Sequence, residues 1–106
     1  NSMNTAFMLG WTVGLIEGEG TLHGSPRKGI DQSQCAALVL SITQKDRWIL
    51  DQLANLHGGK VTTQGLKAFQ WYLGVKESEH MANWSMPFLS PHRQSQFKIA
   101  LDNYHK

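Results

Sequence analysis

The sequence predicts a single α+β domain in which an antiparallel sheet is covered on one face by helices. Three observations lead there. Strand-like segments come in adjacent pairs, which favours antiparallel neighbours joined by short connections. Within those segments apolar and polar residues alternate with a period of two, the pattern of a sheet buried on one side only. Helix-like segments precede, separate and follow the pairs, giving the order helix, two strands, helix, two strands, helices. The length of 106 residues fits one domain. A chain this short buries a modest fraction of its surface, so a partner subunit would add to its stability.

Residues 5–17 predict the first helix, with Asn4 as its N-cap. Phe7, Met8, Leu9, Trp11, Val13, Leu15 and Ile16 make it apolar almost all round, and such a helix is buried on more than one face. Residues 19–28 read as a strand that ends near Pro26, followed by a loop over 29–32. Residues 34–43 read as a second strand, with Leu38, Leu40 and Ile42 on one face and Val39, Ser41 and Thr43 on the other. Asp46 caps a second helix whose apolar stripe is Ile49, Leu50, Leu53 and Leu56, and Gly58 stops it. Residues 60–64 and 68–75 form a hairpin around Gly65, with Val61, Phe69, Trp71, Leu73 and Val75 toward the core. A third helix starts near Ser78 and stops before Pro87. Pro91 opens the last helix, which carries Phe97, Ala100, Leu101 and Tyr104 at helical spacing.

This arrangement leaves the far face of the sheet polar and basic. His23, Ser25, Arg27, Ser41, Thr43, Lys60, Thr62, Gln64, Gln70 and Tyr72 fall on it, and Lys28, at the strand end, is a further candidate contact for the same partner. Such side chains hydrogen-bond phosphates and base edges, and Arg27 and Gln64 suit guanine and adenine. Polar residues also mark the wet side of any one-sided sheet, so the face alone leaves both readings open.

The charge is unevenly spread. Residues 1–20 hold two acids, Glu17 and Glu19, and no base. Residues 21–106 hold all ten Lys and Arg against the other six of the eight acids, a net +4. An acidic point on a basic body suits metal-assisted work on a polyanion. Cys35 is the only cysteine, which excludes an internal disulfide and a Cys-rich zinc site and reads as a small buried hydrophobe. The apolar stretch from Ala6 to Ile16 is too short to span a bilayer and lacks the flanks of a signal peptide. The expectation is a reducing, intracellular compartment, with Met3 a natural start.

The first helix carries Gly10, Gly14 and Gly18 at a spacing of four. Each interior glycine costs a helix roughly 0.5–1 kcal/mol relative to alanine. A bare stripe is kept where another backbone comes close, as in small-xxx-small helix pairs. Glu17 and Glu19 follow at the helix C-terminus, where the dipole disfavours negative charge. If two such helices pair about a two-fold axis, their Glu19 carboxylates approach and repel. A divalent cation among hard oxygen ligands removes that conflict, and metals held between carboxylates suit in-line displacement at phosphorus.

Thr-Val-Gly-Leu-Ile-Glu-Gly-Glu-Gly, residues 12–20, resembles the LAGLIDADG motif of homing endonucleases, with glutamate in both acidic slots. Leu-Ser-Ile-Thr-Gln-Lys-Asp (40–46) and Gly-Gly-Lys-Val (58–61) are similar to the family's second strand and third-strand entry. Met-Pro-Phe-Leu-Ser-Pro-His-Arg (86–93) resembles the lead into its last helix, so the likeness covers nearly the whole chain. The resemblance implies an αββαββα fold with a saddle-shaped sheet on double-stranded DNA. One motif copy implies a homodimer and a long, nearly palindromic target, cut across the minor groove to leave short 3′ overhangs. Mg²⁺ is the implied cofactor, with Mn²⁺ able to substitute and Ca²⁺ supporting binding without cleavage. No small-molecule cofactor and no membrane are expected.

By the same resemblance Glu19 binds metal, and the Gly18 carbonyl adds a contact. Glu17, with Gly10 and Gly14, belongs to the dimer interface and is more structural than catalytic. Gln44 orders solvent at the cleavage centre, and Lys45 and Arg47 lie near the scissile phosphate. His92 stands where the family often has lysine. A histidine is only partly charged at neutral pH, so its electrostatic help is weaker, and Arg93 is a candidate substitute.

His57, His80 and His105 read as surface or helix-end residues without zinc spacing. Trp48 and Trp84 read as core or helix-packing residues. Trp71 is ambiguous, since a one-residue slip would move it to the polar face. Three functions compete: a metal-dependent endonuclease, a nucleic-acid-binding relative without cleavage (an RNA maturase or DNA-binding regulator), and a small structural dimer. The retained acids with Gln44 and Lys45 favour the first, because an uncompensated carboxylate beside phosphates weakens binding. His92 favours the second. The third leaves the polar basic face unexplained.

Overall fold

The computed structural model describes residues 2–26 and 36–106, with side chains from residue 6 onward. Arg27, Lys28, the loop over 29–32 and Cys35 lie outside the described residues.

Among the described residues, four helices and four strands follow the expected order. Helix α1 spans Ser2–Glu19, strand β1 Gly20–Ser25, strand β2 Ala37–Gln44 and helix α2 Arg47–His57. Strand β3 spans Lys60–Thr63, β4 Phe69–Tyr72, helix α3 Val75–Ser85 and α4 Pro91–Tyr104, with a short 3-10 turn at Met86–Phe88. All strand pairings are antiparallel, in the order β1-β2-β4-β3. The α+β expectation holds, with the four helices on one side of the sheet.

The core lies between them. Leu38, Leu40 and Ile42 of β2 are fully buried, as are Trp71 of β4, Leu50 and Leu53 of α2, Ala82 of α3 and Ile16 of α1. Phe97 and Ala100 bring α4 against β1 and β2. Close approach is built in at Gly24, where a Cβ would stand 1.9 Å from the Ala100 carbonyl oxygen of α4. The Trp71 ambiguity resolves toward the core: the ring is buried and its Nε1 donates to the Gly58 carbonyl at 2.8 Å. Asp46 accepts from the Trp48 amide as the N-cap of α2, and Gly58 ends that helix at a positive φ of 78°.

Several boundaries differ from the sequence reading. Helix α1 runs past the expected 5–17 at both ends, so Asn4 lies within it rather than ahead of it. No proline interrupts the run, and the chain passes from helix to strand between Glu19 and Gly20 without a loop. A Cβ at Gly20 would stand 2.7 Å from the Ile16 carbonyl oxygen, so this tight switch requires glycine. Helix α3 starts at Val75, not near Ser78, because extended Gly74 serves as N-cap and Glu77 favours the first turn. Ser78 is instead buried inside the helix, where its Oγ accepts from the Leu40 amide (2.9 Å) and donates to the Leu73 carbonyl (3.2 Å). Trp48 is not a core residue. It is 63% exposed on α2, beside Phe7, Met8 and Trp11 of α1. Trp84 does pack against the core, half-buried.

Candidate functional site

The functional features gather at two places: the far face of the sheet, and the point where α1 ends beside β2.

On the sheet, register aligns polar residues in rows. Thr21, Ser41, Tyr72 and Lys60 stand side by side across all four strands, and Thr43, Gln70 and Thr62 form the next row. Period-two alternation puts them opposite Leu40, Ile42, Trp71 and Val61. His23 and Ser25 extend the face along β1, opposite Val39 and Ala37. Gln64 follows β3, its amide donating to the Ala68 carbonyl at 2.8 Å where the chain turns around Gly65. Thr21 joins the face although the sequence reading passed over it. Its alternation with Leu22 was the available signal.

At the end of α1, Glu19 is exposed and meets the end of β2. Gln44 has the parity of Leu40 and Ile42, so its side chain points to the helix side, where its Nε2 donates to Glu19 Oε2. Glu19, Thr43, Gln44, Lys45 and Ala68 line a hollow of about 490 Å³. Three of the sequence-predicted site residues therefore converge, Glu19 from the end of α1 and Gln44 and Lys45 from the end of β2. Arg47 does not line this hollow. It pairs with Asp51 one turn along α2 (3.4 Å) and lies over the Phe69 ring, 5.6 Å from its centroid. His92 is exposed at the start of α4, where Gln96 Nε2 donates to its Nε2 at 3.2 Å.

Glu17 serves a different purpose from Glu19. Its carboxylate accepts from the Ser90 amide at 2.5 Å and from the Ser90 hydroxyl at 3.1 Å, so it ties α1 to the N-terminus of α4 within one chain. Arg93 completes the clasp. Its Nε donates to the Glu17 carbonyl (2.9 Å) and its Nη1 to the Gly20 carbonyl (2.8 Å). This engagement differs from the expected one, in which Arg93 replaces His92 near phosphate. The clasp had no signal in sequence, since its partners lie 73 or more residues apart.

The stripe of Gly10, Gly14 and Gly18 faces open space: no described atom would lie within 4 Å of a Cβ at any of the three. Apolar grooves flank it on both sides. Ala6, Leu9, Val13, Trp84 and Phe88 line one of about 460 Å³, and Phe7, Met8, Trp11, Trp48 and Leu56 line the other, of about 330 Å³. Among the described residues, no group of three His, Cys, Asp or Glu could hold a metal ion within one chain. No helix among them is long and apolar enough to cross a membrane.

A sheet with helices on one face, an acid-ended helix left uncovered and a polar opposite face define a fold class: that of the LAGLIDADG homing endonucleases. Solved structures of that class are similar along most of this chain. The archaeal intron-encoded homing endonuclease I-Vdi141I, complexed with DNA, superposes with a TM-score of 0.74 over 95% of this chain and 69% of its own, at 22% identity. The homing endonuclease I-CvuI, in complex with the I-CreI target, gives 0.72 over 95% and 68% at 17% identity. I-SmaMI, a LAGLIDADG homing endonuclease bound to cleaved DNA, gives 0.56 over 66% of this chain at 24% identity. The chain spans about two thirds of the first two proteins and 25% of I-SmaMI. No family model and no curated protein matches it in sequence.

Proposed function

We propose that two copies of this chain form a LAGLIDADG homing endonuclease that cuts both strands of a long, nearly palindromic DNA site with divalent metal ions. Glu19 carries this reading. It is an exposed carboxylate at the end of a helix whose outer face is uncovered, and it is held by Gln44 beside Lys45. The DNA complexes of proteins with the same fold support a nucleic-acid target.

A second copy answers two needs of the single chain. The open glycine stripe admits another helix backbone at close range, and the flanking grooves supply apolar surface for it. One carboxylate makes a poor metal site alone, but two related by a two-fold axis give hard oxygen donors to a shared ion. The donor set fits Mg²⁺ or Mn²⁺: the Glu19 carboxylate of each copy would hold the ion, the Gly18 carbonyl would add the lone pair that Arg93 Nη2, at 3.4 Å, does not use, and phosphate and water oxygens would complete the shell. When bound, the metal neutralises charge at the scissile phosphate and lowers the pKa of a coordinated water. I-CvuI with the I-CreI target in the presence of 2 mM Mg, its DNA not cleaved, and I-SmaMI with its uncleaved target in the presence of calcium ions support divalent-metal use in this reading.

The chain's own groups prepare that step. Gln44 fixes one Glu19 oxygen and turns the carboxylate toward the hollow. Lys45, exposed on its wall, sets a positive charge beside an incoming phosphate. The rows from Thr21 to Lys60 and from Thr43 to Thr62 contact backbone and base edges, and fix where the acid meets the duplex.

Selection from a randomised duplex library tests this. The parent chain and Glu19→Gln are each run with Mg²⁺ and with Ca²⁺. A near-palindromic site cut only by the parent in Mg²⁺, and bound uncut in the other three reactions, is the expected result. A site bound but never cut by the parent would leave a DNA-binding protein without cleavage, with His92 the first position to replace by lysine.

A further inference from the structure

We infer that Arg93 is a positioning residue for Glu19: its guanidinium holds backbone carbonyls before and after that acid. The inference rests on the nuclease reading for what Glu19 does, and on observed geometry for how Arg93 acts.

Helix α1 ends at Glu19 and β1 begins at Gly20, with no turn between them. The last carbonyls of a helix have no intrahelical partner and must find one elsewhere. A left-handed glycine after the helix is the common solution. It is not used here, since among the described residues the glycines with positive φ are Gly58, Gly59 and Gly65. Arg93 takes its place from the first turn of α4. Its three nitrogens donate to the carbonyls of Glu17 (2.9 Å), Gly20 (2.8 Å) and Gly18 (3.4 Å). These three acceptors bracket Glu19. A planar guanidinium with donors in fixed directions sets their mutual orientation, which a lysine ammonium cannot do.

The clasp is closed on itself. The Arg93 amide donates to Ser90 Oγ (3.3 Å), Ser90 donates to the Glu17 carboxylate, and that carboxylate lies 3.8 Å from Arg93 Nε. Gln96 Oε1 accepts from Nη1 at 3.1 Å. Helix α1 has no base in its own last turn, yet carries Glu17 and Glu19 there. The Arg93 cation thus offsets the Glu17 carboxylate and the negative end of the helix dipole together. Glu19 itself stays free of Arg93 and is presented to the hollow.

The test compares the parent with Arg93→Lys and Arg93→Gln. Amide hydrogen exchange is read across residues 18–22, duplex binding is read in Ca²⁺, and single-turnover cleavage is read against Mg²⁺ concentration. Both variants are expected to speed exchange at the junction about tenfold, the loss of one charge-assisted hydrogen bond, while exchange in β2 and α2 stays at parent values. Duplex binding is expected to hold, and the Mg²⁺ needed for half-maximal cleavage to rise about 10–100-fold, the usual scale for a group that orients a metal ligand. Arg93→Lys keeps the charge and serves where Arg93→Gln fails to fold. Junction exchange unchanged in both variants would overturn the inference, as would parallel loss of binding, melting temperature and cleavage. If the parent binds duplex but never cuts, the nuclease reading fails by itself and the exchange comparison alone decides the role of Arg93.

Discussion

Gln44, the last residue of β2, donates its side-chain amide to the carboxylate of Glu19, the last residue of α1. One bond thus joins the two elements that bound the hollow and sets the direction in which the acid faces. Gln44→Ala is expected to leave the fold intact, because Gln44 lies at the sheet end, outside the buried cluster. Metal affinity or cleavage rate should fall about 10–100-fold, as for other partners of metal-binding carboxylates. Cleavage rate against Mg²⁺ concentration measures it, and an unchanged midpoint would remove Gln44 from the site.

The glycine stripe separates folding from association. A Cβ at Gly14 would meet no described atom of its own chain within 4 Å, and replacing a helix glycine favours the helix by roughly 0.5–1 kcal/mol. Gly14→Leu should therefore keep the parent's circular dichroism while sedimenting as a monomer and losing duplex cleavage. A variant that stays dimeric would place the subunit contact elsewhere.

Ser78 is a folding determinant remote from the hollow. Fully buried, its hydroxyl joins the amide of Leu40 in β2 to the carbonyl of Leu73 before α3. Ser78→Ala leaves both backbone groups without that partner. The expected loss is about 1–3 kcal/mol, read as an earlier urea midpoint at unchanged slope.

His57 links stability to pH. Thr12, fully buried, gives its hydroxyl proton to the Met8 carbonyl (2.9 Å), and His57 Nε2 lies 2.9 Å from the same oxygen, so the ring donates to it. Burial lowers the pKa of His57 below 6.5, so the folded chain keeps the ring neutral where the unfolded chain takes up a proton. Its contribution is complete above 6.5 and is lost as pH falls toward the folded value. His57→Gln keeps a donor for Thr12 and should show a smaller fall in melting temperature from neutral to mildly acid pH. Equal pH dependence in parent and variant would assign that fall to other groups.

Much of this protein was legible in the sequence because its signals are local. Alternation along 38–43 identified β2 and its buried face, since side-chain direction in a strand is set by parity alone. Asp46, Gly58 and Pro91 marked helix ends because capping and φ restriction act within a few residues. The glycine spacing and the acids at 17 and 19 singled out α1, and its bare stripe proved open in the folded chain. Helix and strand limits near 2–5 and 73–78 were less legible. Ser78 has the residue type of a cap but is spent on a tertiary hydrogen bond.

What the sequence by itself determined was the α+β class, the element order, the polar sheet face and a first helix with Glu17 and Glu19 at its C-terminal side. The tertiary structure alone decided which partners those residues meet. It turned Arg47 along α2 toward Asp51 and Phe69, left Trp48 on the surface, gave Glu17 to Ser90, and set Arg93 against the carbonyls around Glu19. These contacts join positions far apart in the chain. Their geometry follows from how α1 and α4 pack on a common sheet, and no spacing within either segment encodes it.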